Sequence, residues 1–241
     1  MRILVVNPNS TASMTRKIGE AAGAVAAPGT DIIATNPTGV PVSIEGPYDE
    51  ALCVAGLLRE VEKGVADGAD AIVIACADDP GRDACRALVD RPVIGICEAA
   101  MIAASLIAAR FQVVTTLPLA IPVIEDLAHH YGFTHKCQRV RAANMPVLAL
   151  EDEGTAAADL LRVEIAAAKA DGAEAVVLGC AGMADLAAAL SAELSIPVID
   201  GVAAGVKLAE AMVGLGHNTS KLGLYSPPRD KSDTALPTAA V

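Results

Sequence analysis

Asp67-Gly-Ala-Asp-Ala-Ile-Val-Ile-Ala-Cys76 returns later in the chain as Asp171-Gly-Ala-Glu-Ala-Val-Val-Leu-Gly-Cys180. Six of the ten positions are identical, the other four are conservative pairs, and the two thiols stand 104 residues apart. Each phrase is a short Val/Ile/Leu run without polar alternation, the pattern of a strand buried on both faces of a parallel sheet. Two further phrases recur in the same order. Arg2-Ile-Leu-Val-Val-Asn-Pro resembles Arg110-Phe-Gln-Val-Val-Thr-Thr, and the Pro-Val-Ile that begins at Pro92 returns at Pro197. A period near 105 residues is far too long for a solenoid unit. In a chain of 241 residues it predicts two duplicated lobes.

Outward from these phrases, apolar runs predict strands near residues 2–7, 31–35, 70–75, 92–95, 111–115, 138–142, 174–179 and 196–199. Helical patterns fall between them, near 11–25, 48–66, 81–89, 98–109, 119–131, 154–170, 183–192 and 202–214. Strand alternating with helix predicts an α/β fold of two pseudo-symmetric lobes, each a four-stranded parallel sheet flanked by helices. The expected division gives residues 1–96 and 203–226 to one lobe and 97–202 to the other. Residues 227–241, rich in Pro, Ser, Thr, Asp and Lys, read as a loose C-terminal tail.

Active sites in such sheets lie beyond the carboxyl ends of the strands. Asn7-Pro-Asn-Ser-Thr11 follows the first strand, Cys76 the third, Thr115-Thr116 the first of the second half, and Cys180 its third. These four segments are expected to converge in a cleft between the lobes. A lone cysteine at a strand end is usually a small buried hydrophobe. A matched pair in a repeat points instead to proton transfer on two faces of one substrate. A racemase takes a proton from one face of a stereocentre and returns one to the other, so it needs a base and an acid at once. A thiol of pKa ~8.5 is lowered at a helix N-terminus, and both cysteines are expected just before a helix. Cys53, Cys85, Cys97 and Cys137 have no counterpart in the other half and read as structural.

Net charge is −11 with no basic stripe, which argues against nucleic acid and against an anionic membrane surface. The most apolar helical stretch, 99–109, is too short to span a bilayer. No signal-peptide pattern opens the chain, and six cysteines are too few for a disulfide scaffold, so a cytoplasmic protein with free thiols is expected. His129, His130, His135 and Cys137 match no familiar zinc spacing, and no metal is expected. There is no glycine-rich phosphate loop. Asp78 and Asp79 read as helix-capping residues, and Asn7-Pro-Asn-Ser-Thr11 suits both capping and substrate binding.

The quoted phrases, together with Glu45-Gly-Pro-Tyr-Asp-Glu-Ala51, Ala75-Cys-x-x-Asp-Pro-Gly81, Leu178-Gly-Cys-Ala-Gly-Met183 and Thr219-Ser-Lys221, closely resemble the Asp/Glu/hydantoin racemase superfamily and, within it, the hydantoin racemases. The resemblance runs from residue 2 to about 231. It implies cofactor-independent racemisation of 5-monosubstituted hydantoins, with Cys76 and Cys180 as the acid/base pair, and assembly into homo-oligomers. It also implies that Asn9, Ser10, Thr11, Thr115 and Thr116 bind the substrate, as do backbone groups of Ala77, Asp78, Ala181 and Gly182. Aspartate and glutamate racemases carry other residues beside the two cysteines, and arylmalonate decarboxylases keep only the second. Allantoin racemases share the two-cysteine pattern, so allantoin stands as the alternative substrate. A non-catalytic binding protein on the same scaffold is the reading from another class. Ala77 departs from the Phe found there in many relatives, which predicts room for bulkier 5-substituents.

Overall fold

The computed structural model describes residues 1–151 and 156–229. The part of the expected tail from 230 to 241 lies outside the described residues. The repeat is a structural one. Strands β1 (Arg2–Val6), β2 (Asp31–Thr35), β3 (Ala71–Ile74) and β4 (Val93–Gly95) form one parallel sheet in the order β2-β1-β3-β4. Strands β5 (Phe111–Thr115), β6 (Cys137–Ala142), β7 (Ala175–Gly179) and β8 (Val198–Ile199) form a second, in the order β6-β5-β7-β8. The two orders are the same order shifted by four strands. Helices α1 (Ala12–Val25), α2 (Pro47–Ala66), α3 (Arg82–Leu88) and α4 (Ile96–Ile107) follow the first four strands. Helices α5 (Ile121–His130), α6 (Ala156–Ala170), α7 (Ala187–Leu194) and α8 (Gly201–Gly214) follow the second four. The fold is the expected α/β architecture.

The register decides where the site lies. Val6 is level with Ile74, and Ile74 with Gly95. Thr115 is level with Gly179. In each half the chain passes from the first strand to one edge, then crosses over to place the third strand on the other side of the first. The two central strands therefore diverge in topology at their carboxyl ends, where α/β sheets open a crevice. Asn7 and Cys76 leave one such end; Thr116 and Cys180 leave the other.

The central strands β1, β3, β5 and β7 are mostly apolar because both faces are covered. Ile3, Val5, Ile72 and Ile74 are almost wholly buried, as are Val113, Val176 and Val177. The core does not stop at the lobe boundary. Val147 and Ala181 pack into the same cluster as Ile3, Val5 and Met14, and α8 brings Val202, Val206 and Ala209 onto it. Burying a Val or Ile side chain is worth about 1.5–3 kcal/mol, so this shared cluster holds the two sheets in one arrangement.

Candidate active site

A cleft of about 500 Å³, its open mouth included, lies between the carboxyl ends of the two sheets. Cys76 and Cys180 both line it. Asn9, Ala77 and Asp78 reach it from the first half, and Thr115, Thr116 and Ala181 from the second. Ser10, Thr11 and Gly182, expected among the substrate contacts, do not line it. The reason is local hydrogen bonding. The Ser10 hydroxyl donates to the carbonyl oxygens of Val40 and Pro41 at 3.0 and 3.3 Å, and the Thr11 hydroxyl donates to that of Val42 at 2.6 Å. These two side chains tie down the 40–42 loop. The Gly182 N–H is turned onto the Cys180 sulfur.

The Asn-rich loop after β1 does not cap α1 with a side chain. Asn7 and Asn9 brace each other instead: Asn7 Nδ2 donates to Asn9 Oδ1 at 2.9 Å, and Asn9 Oδ1 also accepts the Thr11 N–H at 2.9 Å. Asn9 is thereby fixed with its Nδ2 on the cleft side, where its one protein contact is the weak acceptor Met14 Sδ at 3.4 Å. On the opposite side the Thr115 hydroxyl donates to the Gly179 carbonyl at 3.0 Å, locking β5 to β7 beneath the cleft.

Each sulfur sits in the same backbone setting. The N–H two residues on, from Asp78 for Cys76 and from Gly182 for Cys180, points at the sulfur and stabilises its thiolate. Burial works the other way and prevails. It pushes the Cys180 thiol up to about 11, with smaller upward contributions from the Asp78 and Glu45 carboxylates. It pushes Cys76 well above the ordinary thiol range, and there Asp78 is the largest additional cause, with the Cys180 sulfur a lesser one. The sequence predicted lowered values at helix N-termini. The structure differs because burial outweighs the nearby N–H groups and neither thiol abuts an α-helix: Cys180 leads into a short 3-10 helix, Ala181–Leu186, and Cys76 into a loop that reaches α3 only at Arg82.

Asp78 is itself unusual. It is nine-tenths buried, and burial together with the charges of Glu50 and Asp79 pushes its carboxyl up to about 7. Asp79 caps a helix, as expected, but not the one that follows it. Its carboxylate accepts the N–H groups of Cys97 and Glu98 at the start of α4, at 3.0 and 2.9 Å.

Several lining residues were not foreseen. Met14, Ile44, Leu117, Leu119 and Val147 give the cleft an apolar wall. Glu45 also lines it, and its Oε1 accepts the Val147 N–H at 2.9 Å, joining the two halves beside the thiols. The Glu45-Gly46-Pro47 phrase signalled a turn; nothing in it pointed to a partner 102 residues away. All six cysteines are free, and Cys53, Cys85 and Cys97 are buried in the core.

A profile of the Asp/Glu/Hydantoin racemase family matches residues 3–209. The chain belongs to the Asp/Glu/hydantoin racemase family. It is an isomerase of the racemase class. The hydantoin racemase of Rhizobium meliloti is 53% identical over 96% of this chain and 97% of its own length. The hydantoin racemase of Pseudomonas sp. (strain NS671) is 47% identical, covering 96% and 93%. Among solved structures, the allantoin racemase from Klebsiella pneumoniae superposes with a TM-score of 0.94 at 49% identity, covering 96% of this chain and 95% of that one.

Proposed function

We propose that the protein racemises 5-monosubstituted hydantoins without a cofactor, using Cys76 and Cys180 as a two-base pair. The observation that carries this reading is that the two repeat-related thiols open into one cleft from opposite sheets. The substrate C5–H lies next to a carbonyl, so its removal gives an enolate. One sulfur, as thiolate, takes the C5 proton; the other, as thiol, gives its proton to the opposite face. The pair then has the reverse charge state and is ready for the other enantiomer. The N–H groups of Asp78 and Gly182 favour whichever sulfur is ionised. Asn9 and Thr116, with the backbone of Ala77 and Ala181, supply the polar edge that orients the hydantoin ring and meets the developing oxyanion. The apolar wall of Met14, Ile44, Leu117 and Leu119 receives the 5-substituent. The chain acts as a cytoplasmic homo-oligomer in this reading, with lobes 1–96 plus 203–226 and 97–202 carrying one thiol each.

A second substrate reading has its own support. The 49% identity to a protein named an allantoin racemase makes allantoin, a hydantoin with a ureido substituent, the alternative. A panel of single enantiomers, 5-methyl-, 5-benzyl- and 5-ureidohydantoin, followed by the decay of circular dichroism in metal-free buffer, separates them. Racemisation of the alkyl and benzyl compounds with deuterium entering C5 from solvent is the expected result. Fast turnover of the ureido compound alone transfers the assignment to allantoin. No decay with any member of the panel defeats both.

A further inference from the structure

Asp79 occupies a position that costs the fold something. It has a left-handed backbone, φ 44°, and its side chain is buried. Asp tolerates that region better than most residues, yet a non-glycine there persists only when its surroundings hold it. The surroundings are specific. Oδ1 accepts the Cys97 N–H at 3.0 Å; Oδ2 accepts the Glu98 N–H at 2.9 Å and the Tyr131 hydroxyl at 2.7 Å. Gly95 leaves the space: a Cβ there would lie 2.3 Å from Asp79 Cγ. Burial raises this carboxyl and the three donors hold it back, leaving it at about 6.

The main chain of Asp79 is equally committed. Its N–H donates to the Cys76 carbonyl oxygen at 3.0 Å, closing the Cys76–Asp79 turn, and Arg82 N–H returns to its own carbonyl at 3.3 Å. Tyr131 comes from the other half of the molecule, at the end of α5. Its ring lies under the Arg82 guanidinium, 4.6 Å from centroid to Cζ, and Arg82 Nη2 lies 3.2 Å from His130 Nε2. The turn carrying one thiol is therefore pinned to the start of α4 on one side and to the end of α5 on the other. The Cys180 turn has no such residue: Ala181, Gly182 and Met183 hold no ionisable group.

We propose that Asp79 and Tyr131 are positioning residues: the Tyr131 hydroxyl, through the Asp79 carboxylate, sets where the Cys76 sulfur stands relative to the Cys180 lobe. The inference rests on the two-thiol reading above. A small misplacement of a reacting group costs a large factor in rate, up to about 10²-fold per ångström. The link acts on Cys76 and leaves Cys180 in place.

Tyr131→Phe keeps the ring under Arg82 and removes only the hydroxyl. Two readouts apply to it and to Asp79→Asn, which keeps the side-chain shape. The first is hydantoin racemisation, where kcat is expected to fall roughly tenfold with KM within about twofold. The second needs no substrate: the ratio of iodoacetamide labelling rates at Cys76 and Cys180, read by peptide mass spectrometry, is expected to shift at least about threefold through a change at Cys76 alone. Unchanged kcat with an unchanged labelling ratio overturns the proposal. So does a fall in melting temperature with both thiols altered alike, which marks a merely structural bond. If the wild type racemises nothing but the labelling ratio still shifts in both variants, the two-thiol activity fails and the positioning link stands.

Discussion

The Cys76 and Cys180 turns are two copies of one device, and they differ in what surrounds the sulfur. Both follow the third strand of a half, and in both the N–H two residues on favours the thiolate. Beyond that the copies part. The Cys76 turn is acidic and pinned, with Asp78 and Asp79 buried behind it. The Cys180 turn is small and neutral, and Gly182 packs against Leu150, where a Cβ would lie 3.0 Å from Leu150 Cδ1. In the proposed two-thiol reaction, the shared part is what moving a proton requires on each face. The divergent part makes the two surroundings unequal: burial raises both thiols, and the Asp78 carboxylate adds to the rise at each.

The largest break in the comparison is to remove one thiol. Cys76→Ser and Cys180→Ser are each expected to lower racemisation by roughly 10²–10⁴-fold, the usual contribution of a positioned acid or base. Each variant retains one base. It should still exchange the C5 proton of one enantiomer with solvent deuterium, and the two variants should prefer opposite enantiomers. Proton NMR of each enantiomer in deuterium oxide measures this. Equal exchange of both enantiomers by both variants would sink the assignment of one sulfur to each face.

The next test makes the second copy read like the first. Ala75 precedes Cys76, and Gly179 precedes Cys180. A Cβ on Gly179 would lie 2.9 Å from Thr115 Cβ and 3.1 Å from its Cα, where backbone cannot give way. Gly179→Ala is expected to cost about 1–3 kcal/mol, a melting-temperature loss of roughly 2–10 °C by thermal unfolding. Ala75→Gly, which frees the backbone just past β3 and removes one buried methyl without any clash, should cost about 1–2 kcal/mol. An equal loss in both would show that the crowding at Thr115 relaxes freely.

Asp78 sharpens the electrostatic half of the comparison. Its carboxylate raises both thiols, and it is charged above about pH 7, throughout the range where they ionise. Asp78→Asn removes that charge and keeps the N–H that holds the Cys76 sulfur. The rising limb of the pH–rate profile should move to lower pH by about one unit, equivalent to about 1.4 kcal/mol. Labelling of both Cys76 and Cys180 should rise, because the Asp78 carboxylate opposes ionisation of each. A limb that stays in place would mean that another group sets it.

The same contrast shows how far the sequence could be read. The two four-stranded sheets, the alternation of strand and helix along the chain and the meeting of the thiols follow from a repeat written in local phrases: an apolar run, then a cysteine, at matching places in each half. The unmatched features were not legible. Asp79 caps a helix that begins beyond the next strand and takes a hydroxyl from Tyr131, 52 residues on, so its role depends on packing that no local pattern encodes. The raised thiols follow from depth of burial, a property of the folded pair of lobes. Ser10 and Thr11 stand one and two residues past Asn9, but their hydroxyls had a nearer acceptor in the 40–42 loop.

The smallest effect tests the one position beside Cys76 where this chain has the smaller choice. Ala77 lines the cleft and is 5% exposed, so its methyl group borders both the thiol and the space for the substrate. Ala181, its counterpart beside Cys180, is equally small and equally buried. Both positions beside the thiols therefore hold only a methyl group at the cleft. Ala77→Phe fills one side and should lower the benzyl-to-methyl preference in kcat/KM several-fold, within the roughly 1–3 kcal/mol that pocket size alone commands. Ala77→Val, a smaller step, should fall between the two if volume is the cause. If the benzyl preference rises in Ala77→Phe, the introduced ring is stacking on the substrate rather than excluding it. The room beside Cys76 would then not be what admits bulky substituents.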